Sequence, residues 1–407
     1  MKLLAISEHY FPRLGGTVNY LHETLSALAR QGVRVELWVP GPRPPNWLPD
    51  DLAAPPYAVV WIDADYPARG DPSRAARYAF CQAVNRRALA RAGSGESPDV
   101  LHLVFGLFLM EVLDTHALRR AGLPSVVTVH NVPPHECRLV AADAPWHARL
   151  KEEARLRLVG WKNRARLRAH PWDAVVVPSE QVRVLLAAVL PEQAIAVIGH
   201  GPTSALAALM NPPASRRPGG GPVRLLTVGG YAPHKRQHLI PKVAARLRDR
   251  GLAFEWDVVG PAGRIAGYFD GVRAAVADAG LGDRVRIRDA VPLAELATLY
   301  DRAHLYVQPS VEEGFCITAL DAAAVGLPVI ASPAGALVRI AEASGGTVAD
   351  SAPAPLAHAI EAFVTGQCWG DAAAQMAVVR AAFSWEAAAQ ALRARYTALL
   401  ARNPADA

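Results

Sequence analysis

Hydrophobic runs alternate with amphipathic segments along the first half of the chain. In order, they are KLLAIS, TVNYLHETLSALARQG, VRVELWV, DVLHLV, PSVVTVH and DAVVVPS. Short apolar runs separated by segments of helical periodicity are typical of buried parallel strands covered by helices on both faces. The pattern therefore predicts a doubly wound α/β domain whose first strand spans residues 2–7.

The alternation starts again in the second half of the chain. Its members are VRLLTVGG, a helix predicted over residues 235–250, FEWDVVG, DRVRIRD, HLYVQPS and PVIASP. Between the halves lies NPPASRRPGGGP, whose proline and glycine content is typical of an exposed connection. We therefore predict one domain over residues 1–210, a linker over 211–222 and a second domain over 223–384.

One more helical pattern, WEAAAQALRARYTALL, follows the second domain. Its apolar residues recur at helical spacing, which predicts a helix in the C-terminal segment 385–407. Periodicity alone does not say which domain this helix packs against.

Composition places the chain among globular proteins. Of its 407 residues, 51% are hydrophobic and 20% are charged, which provides ample apolar surface for two cores. The longest apolar stretch, LVFGLFLM, is shorter than the roughly 20 residues needed to cross a bilayer, so it is interpreted as a buried strand and turn. The four cysteines lie far apart without CxxC spacing, which favours a reducing, cytoplasmic location and offers no zinc site.

The segment VQPSVEEGFCITALD carries the strongest chemical signal. A strand is predicted to end near Gln308 and a helix to begin near Cys316, with an acidic loop between them. Free amides at a helix start favour anions, and a glycine lets a ligand approach the backbone closely. The amides predicted to receive a diphosphate are those of Gly314, Phe315, Cys316 and Ile317.

Two acids flank these amides. Glu313 could accept hydrogen bonds from sugar hydroxyls, and Asp321, on the helix, lies within reach of a ribose if a nucleotide runs alongside. The alternative is that both acids only cap and solvate the start of a helix.

This segment resembles the E-x7-E region of the retaining glycosyltransferases of family 4 (GT4), usually written EGFGLPxLEA. The resemblance implies that Glu313 holds hydroxyls of a donor sugar and that Asp321 holds the ribose of its nucleotide. Asp321 departs from the family pattern because it is one methylene shorter than glutamate.

A second segment, VGGYAPHKRQHLI, is similar to the VGR-x4-KG segment of the same family. There an arginine and a lysine neutralise the donor diphosphate, which implies this role for Lys235. Gly230 occupies the arginine position, so one cation is missing, and His234 and Arg236 are the candidates to replace it. The alternative is that Lys235 is a solvated surface lysine.

Two features of the first half match the family as well. Gly15 and Gly16, in YFPRLGGTVNYL, resemble its glycine loop beside the donor phosphates, with Thr17 as the predicted N-cap. A plain tight turn is the alternative, and the absence of GxGxxG removes the main support for a dehydrogenase. His130 ends the strand SVVTVHN, where the family has a histidine near the reacting anomeric carbon. By itself, a histidine there is more often structural.

Two charged features remain. The DxD at Asp63–Asp65 lies far in sequence from every donor-type motif, so no catalytic metal is predicted. The segment 147–170 has eight basic residues against Glu152 and Glu153. Its apolar residues Leu150, Ala154, Leu158, Trp161 and Ala165 are predicted to pack on the core. A solvated face is the simplest interpretation, peripheral contact with anionic lipid is the alternative, and no nucleic-acid motif accompanies the segment.

The resemblance implies a GT-B fold, α/β, with two Rossmann-like domains whose parallel sheets face each other across a cleft. It implies an acceptor-side first domain, a donor-side second domain and a final helix that packs back on the first. The expected reaction is retaining transfer of a hexose-type sugar from a nucleotide diphosphate sugar to a hydroxyl of a glycan, a lipid-linked molecule or a small molecule, without a cofactor. The alternatives are a nucleotide-sugar epimerase, a phosphorylase and a catalytically silent nucleotide-sugar-binding partner.

Overall fold

Two parallel β-sheets organise the chain. A computed structural model describes residues 1–11, 15–49, 52, 54–63, 66, 73–105, 109–131, 140, 144–169, 172–187, 190, 195–263 and 265–401. Contacts separate the chain into two units. The first contains the described residues of 1–132, 160–200 and 384–401, and the second those of 133–159 and 201–383.

The first unit is built on a seven-stranded sheet in the order β3-β2-β1-β4-β5-β6-β7, with every pair parallel. Its strands are β1 (Lys2–Ser7), β2 (Arg34–Gly41), β3 (Ala58–Asp63), β4 (Val100–Phe105), β5 (Ser125–Thr128), β6 (Ala174–Val177) and β7 (Ile195–Val197). The helices of this half of the chain are α1 (Gly16–Arg30), α2 (Arg74–Arg91), α3 (Leu109–Val112), α4 (Thr115–Arg120), α5 (Trp146–Ala169) and α6 (Glu180–Ala187).

The second unit is built on a six-stranded parallel sheet in the order β10-β9-β8-β11-β12-β13. Its strands are β8 (Val223–Val228), β9 (Phe254–Val259), β10 (Val285–Arg288), β11 (Leu305–Gln308), β12 (Val329–Ala331) and β13 (Thr347–Val348). The remaining helices are α7 (Ser204–Leu209), α8 (Ile240–Asp249), α9 (Tyr268–Asp278), α10 (Leu293–Arg302), α11 (Ile317–Ala324), α12 (Leu337–Ala343), α13 (Pro353–Thr365), α14 (Ala372–Ala382) and α15 (Trp385–Leu400).

The predicted fold class, α/β with two Rossmann-like domains, is confirmed. Strands β1 and β8 are buried along nearly their whole length, as continuous apolar runs require. In each sheet the strand order reverses at one place, between β1 and β4 in the first and between β8 and β11 in the second. Ligands of open parallel sheets bind beyond the carboxyl ends of the strands at such a reversal.

The chain passes from the first unit to the second between His200 and Gly201, ahead of the segment predicted as a linker. Helix α7 thus belongs to the second unit. Most of residues 211–222 are exposed, but Arg216 is buried. Its guanidinium donates to the carbonyls of Tyr300, Asp301 and Ala303, at the end of α10, and to that of Val325, after α11. The segment is therefore anchored to the second unit by this side chain.

The final helix, α15, packs within the first unit. The side chain of Gln31 donates to the Glu386 carbonyl at 2.8 Å, and Arg393 donates to the Gln31 carbonyl at 3.0 Å. Deeper in the unit, the Tyr396 hydroxyl lies 2.6 Å from Nδ1 of His102 on β4. These bonds tie both α1 and the sheet to the last helix of the chain.

The prediction for the buried face of α5 is wrong. Leu150, Leu158 and Trp161 are exposed, as are Ala154 and Ala165. The buried positions are instead Glu152, Leu156, Gly160, Asn163 and Leu167. The apolar spacing did not indicate the buried face, because the polar residues Glu152 and Asn163 belong to it. Arg155 donates to both carboxylate oxygens of Glu152, at 2.7 and 2.8 Å, and so compensates its burial.

No helix within the described residues is long and apolar enough to cross a membrane. Cys81, Cys316 and Cys368 are free thiols, and the fourth cysteine, Cys137, lies outside the described residues.

Arg216 and Arg217 provide a matched test of the anchor in the second unit. Burial lowers the pKa of Arg216 to about 10, so it remains charged at neutral pH. We expect Arg216→Met to lower the free energy of unfolding by about 2–4 kcal/mol, because four carbonyl oxygens lose their donor. Arg217 is exposed, and Arg217→Met should change the free energy of unfolding by no more than about 0.5 kcal/mol. Urea unfolding measures both values, and equal effects would contradict the anchoring role.

Candidate functional site

Lys235 and Glu313 meet at the reversal point of the six-stranded sheet. Lys235 follows β8 and Glu313 follows β11, and these two strands are neighbours. The Lys235 ammonium donates to Oε1 of Glu313 at 2.6 Å. The lysine side chain is 19% exposed and the glutamate side chain 8% exposed. The structure thus brings together the two residues of this sheet for which the sequence implied catalytic roles.

The backbone around Lys235 differs from the predicted helix over 235–250. Residues Pro233–Lys235 form a 3-10 turn, Arg236 is left-handed with φ of 55°, and α8 begins only at Ile240. The early turn brings the His234 carbonyl to the loop after β11, where it accepts from the Val311 amide at 2.8 Å. Lys235 is therefore held by a turn between two sheet loops and not by a helix start.

Glycines make room for both members of the ion pair. A Cβ at Gly229 would lie 3.3 Å from Cδ of Lys235, so the lysine side chain runs closely along this glycine. Gly335 has φ of 56°, and a Cβ there would lie 2.2 Å from the carbonyl oxygen of Glu313. No side chain fits at Gly335 without moving the Glu313 backbone.

The Glu313 carboxylate is fully ionised at neutral pH although it is buried. Burial raises its pKa, but the Lys235 ammonium, His234 and the hydrogen bonds from Lys235 and Ser310 outweigh burial, so the net pKa is lowered. The Ser310 hydroxyl donates to Oε1 at 2.7 Å, and Nε2 of Gln308 lies 3.5 Å from the same oxygen. Lys235, Ser310 and Gln308 thus all contact the same carboxylate oxygen, Oε1.

The start of α11 follows the acidic loop directly. Cys316 is the N-cap, with φ of 78°, and the helix begins at Ile317. Within the described part of the chain, the amides of Gly314, Cys316 and Ile317 donate to no acceptor. The Phe315 ring packs edge-on against Phe383 at 5.9 Å. Burial raises the pKa of the Cys316 thiol to about 12, so this cysteine remains protonated.

Asp321 lies on α11 and is buried. Its Oδ1 accepts from the Thr203 amide at 2.6 Å and its Oδ2 from the Thr203 hydroxyl at 3.0 Å. The sequence did not indicate this partner, which is 118 residues away. The ribose role that the resemblance implies for Asp321 stays a prediction.

The position of the missing cation is open. A Cβ at Gly230 would meet only Pro261, at 3.5 Å or more, which is ordinary contact. Of the two candidate replacements, Arg236 donates to the Ser351 hydroxyl. Burial, with the neighbouring Lys235 charge, lowers the pKa of His234 to about 4, so this histidine is neutral. His234 therefore adds no charge beside Lys235, whereas Arg236 remains a cation whose guanidinium is directed to Ser351.

In the first unit, Gly15 caps α1. Its φ of 155° and ψ of 163° favour glycine, and its carbonyl accepts from Val18 and Asn19. Gly16 is the first helical residue, so Thr17 lies inside the first turn and its predicted N-cap role is wrong. An added Cβ at Gly15 would meet no atom of the described residues within 4 Å.

His130 follows β5, the strand next to β4. Its Nε2 lies 3.1 Å from the Val104 carbonyl, an acceptor, so Nε2 carries the proton and Nδ1 is an acceptor. The Tyr20 ring contacts it edge-on at 4.7 Å. Burial lowers the pKa of His130 to about 4, so the ring is neutral at physiological pH.

Sequence reasoning missed His200 and Trp385, which belong to the same aromatic cluster. Their rings stack at 5.7 Å with an interplanar angle of 18°, and Tyr20 lies 4.5 Å from His200. The sequence did contain a signal, because each histidine comes shortly after a strand: His200 after IAV and His130 after SVVT. Glu8 was missed as well. It is buried after β1 and accepts from the Leu109 amide at 3.2 Å, which links the two loops at the reversal point.

Asp63 ends β3, while Ala64 and Asp65 of the DxD motif lie outside the described residues. Among the residues that are described, no group of three or more His, Cys, Asp or Glu side chains is placed to hold a metal ion.

The buried histidines predict an acid-sensitive first unit. Burial lowers the pKa of His102 to about 3, and that of His200 well below its usual value. These rings are neutral when folded and titrate near pH 6.5 when unfolded. Their stabilising contribution is present above pH 6.5 and is lost as the pH falls below it, by up to about 1 kcal/mol per pH unit for each ring.

We expect His102→Gln to make the fall in unfolding free energy between pH 6.5 and 4.5 shallower by about 1 kcal/mol per pH unit. Urea unfolding at several pH values measures this slope. His116, which is exposed on α4, provides the control, and His116→Gln should leave the slope unchanged. Parallel curves for the wild type and His102→Gln would show that the buried rings do not govern the acid sensitivity.

Two sequence profiles match nearly all of the predicted domains. The profile described as Glycosyltransferase Family 4 matches residues 14–202, and the profile described as Glycosyl transferases group 1 matches residues 222–365. Among curated proteins, the chain is similar to the D-inositol 3-phosphate glycosyltransferase of Streptosporangium roseum. The two are 34% identical over 185 residues, which are 44% of this chain and 42% of that protein. The chain thus spans less than half the length of this relative.

Solved structures resemble the chain over nearly its whole length. Sucrose-phosphate synthase from Thermosynechococcus elongatus has a TM-score of 0.75 at 23% identity, covering 98% of this chain and 99% of that one. HepE from Anabaena, in complex with UDP-glucose, has a TM-score of 0.67 at 16% identity, covering 98% and 100%. At these identities the likeness shows the GT-B fold alone. The structural likeness and the two parallel sheets show that the chain has the GT-B fold. The two profiles show that it belongs to glycosyltransferase family 4.

Proposed function

We propose that this protein transfers a hexose-type sugar from a nucleotide diphosphate sugar to a hydroxyl acceptor, with retention at the anomeric carbon and without a metal ion. The observation that carries the proposal is the Lys235–Glu313 contact at the reversal point of the second sheet. It places a cation, a carboxylate and open helix amides at the edge where parallel sheets bind nucleotides.

Lys235 and the start of α11 form the diphosphate subsite. The ammonium provides a point charge, and the amides of Gly314, Cys316 and Ile317 provide donors at the positive end of the helix. Negative charge develops on the diphosphate as the bond to the anomeric carbon breaks, and donors fixed in advance stabilise it most at that moment.

Glu313 forms the sugar subsite. In the structure its Oε1 accepts from Lys235 and Ser310. A bound diphosphate competes for the Lys235 ammonium, which leaves the carboxylate able to accept hydrogen bonds from sugar hydroxyls. Ser310 continues to orient the carboxylate after the lysine has turned to the phosphates.

The transfer step needs no protein nucleophile. The bond between the anomeric carbon and the diphosphate oxygen breaks, the bond to the acceptor oxygen forms on the same face, and the hydroxyl proton leaves with the diphosphate. His130 is neutral, and its Nδ1 is an acceptor, so it contributes a hydrogen bond to a sugar hydroxyl and no charge. Gly15 and Gly16 begin α1, and in this proposal they face the phosphates or the acceptor.

Asp321 forms the ribose subsite in this proposal. Thr203 holds both of its oxygens, which fixes the shorter side chain in one orientation. The neighbouring fold supports a nucleotide donor, because HepE was solved with UDP-glucose bound. The wide separation of the free cysteines supports a cytoplasmic location for the reaction.

A catalytically silent nucleotide-sugar-binding protein is the second candidate. Gly230 favours it, because the missing arginine removes one of two cations that would stabilise the leaving diphosphate. Turnover separates the candidates: transfer or slow hydrolysis of a donor supports the enzyme, whereas binding without either, over a broad donor and acceptor panel, supports the silent protein.

The two members of the ion pair should have different effects. We expect Lys235→Ala to weaken nucleoside diphosphate binding about tenfold or more, because the subsite loses its cation. Glu313→Ala should retain nucleoside diphosphate binding, because it frees the ammonium, yet reduce transfer by about 10²–10³. A thermal-shift panel of nucleotides and nucleotide sugars, followed by a transfer assay, measures both effects.

Exposed residues of the same types provide the controls, and Lys242→Ala and Glu342→Ala should behave as the wild type does. If no nucleotide or nucleotide sugar stabilises the wild type, the donor site is wrong. Loss of nucleoside diphosphate binding in Glu313→Ala would contradict the division of roles.

Restoring the second cation is a test in the opposite direction. Gly230 has room for a side chain, so Gly230→Arg should fold normally and bind a nucleoside diphosphate about fivefold to tenfold more tightly. Isothermal titration measures the affinity, and Gly230→Ala, which adds a side chain without charge, should show no gain. Equal affinities for the Arg and Ala variants would mean that this position does not face the phosphates.

A further inference from the structure

Helix α5 presents large apolar side chains to solvent. Trp146, Leu150, Leu158 and Trp161 are 70%, 64%, 52% and 62% exposed. At about 100° per residue, these four positions fall within about 120° of the helix circumference. They therefore form one stripe, here called the α5 stripe, on a single outward face.

The charges around the α5 stripe are mostly positive, and the acid beside its Trp146 edge, Glu153, pairs with Arg157 at 3.6 Å. Lys151 and Lys162 border the stripe on one side. Arg164 lies at the other edge, at the same angle around the helix axis as Trp146. Each of these three residues is exposed, and none has a carboxylate partner within the described residues. The acid Glu152 points the opposite way, is buried and is neutralised by Arg155. The outward face thus combines exposed apolar and unpaired basic groups.

The whole arrangement is the reverse of an ordinary surface helix. A surface helix buries its apolar stripe and exposes its polar residues, whereas α5 buries Glu152 and Asn163 and exposes two tryptophans. Exposed apolar groups in such number mark an interaction site.

We propose that the α5 stripe binds the surface of an anionic lipid bilayer, with the helix lying in the plane of the membrane. Tryptophan and leucine insert at the level of the headgroups, while the flanking lysine and arginine ammonium and guanidinium groups contact lipid phosphates. From Trp146 to Trp161 the stripe extends along about 22 Å of helix, which gives several insertion points along one line.

Other occupants fit the same face less well. A second copy related by two-fold symmetry would bring equivalent basic residues, such as Lys162, close together at the interface, which costs free energy. A nucleic acid would neutralise the basic residues, but its charged backbone would not bury the apolar side chains of Leu150 and Leu158. A bilayer with anionic headgroups satisfies both the apolar and the basic side chains.

Vesicle flotation tests the proposal with the full chain. Vesicles of phosphatidylcholine with about one third phosphatidylglycerol should carry the wild type upward, and pure phosphatidylcholine vesicles should carry much less. We expect the double variant Trp146→Ser, Trp161→Ser to lose at least about tenfold in vesicle affinity, because the inserting side chains are gone. Lys162→Gln with Arg164→Gln should lose on the order of tenfold for the anionic vesicles only.

A matched control uses exposed groups elsewhere. Val378→Ser on α14 with Arg86→Gln and Arg87→Gln on α2 should bind vesicles as the wild type does. Thermal unfolding of all variants confirms that they are folded. The proposal is overturned if the wild type does not float, if neutral vesicles bind equally, or if the control loses as much affinity as the stripe variants. Sedimentation velocity adds one more such outcome, a wild-type dimer that the tryptophan variant dissociates without any vesicle binding.

Discussion

The second unit depends on a buried contact between the Lys235 ammonium and the Glu313 carboxylate. Two charges withdrawn from water are stable only if their geometry is close and further hydrogen bonds complete them. Here the contact is 2.6 Å and Ser310 supplies a further bond to the same oxygen. The sheet order makes this possible, because β8 and β11 are neighbours although about 80 residues of chain separate them.

The backbone around the ion pair is packed too closely for most side chains. A Cβ at Gly260 would lie 2.2 Å from the Gly229 carbonyl oxygen, and one at Gly335 equally close to that of Glu313. These contacts fix the loop after β8 relative to the loop after β9, and the loop after β11 relative to the loop after β12. The edge of the sheet that carries the proposed donor site is thus closely packed, as electrostatic stabilisation without reorganisation requires.

The first unit has a different chemical character. Aromatic rings lie beyond β5 and β7, where burial keeps His130 and His200 neutral beside Tyr20 and Trp385. Such a surface contributes shape and hydrogen bonds. On helix α5, Arg155 donates to both carboxylate oxygens of Glu152, which allows this acid to be buried. The large apolar side chains of the helix are then exposed to solvent.

The local features of this protein follow from the order of its residues. The alternation of apolar runs and helical segments was enough for two parallel sheets, because strand and helix periodicities are properties of consecutive residues. The resemblance of two motifs to family 4 likewise identified Lys235 and Glu313 as candidates, and Gly230 as a departure from the family pattern. Only the tertiary structure decided which groups meet across the chain: Thr203 with Asp321, Tyr396 with His102, and Arg216 with the ends of two helices. It also decided which face of α5 is buried, because burial depends on partners that lie elsewhere in the chain and not on the periodicity of the helix.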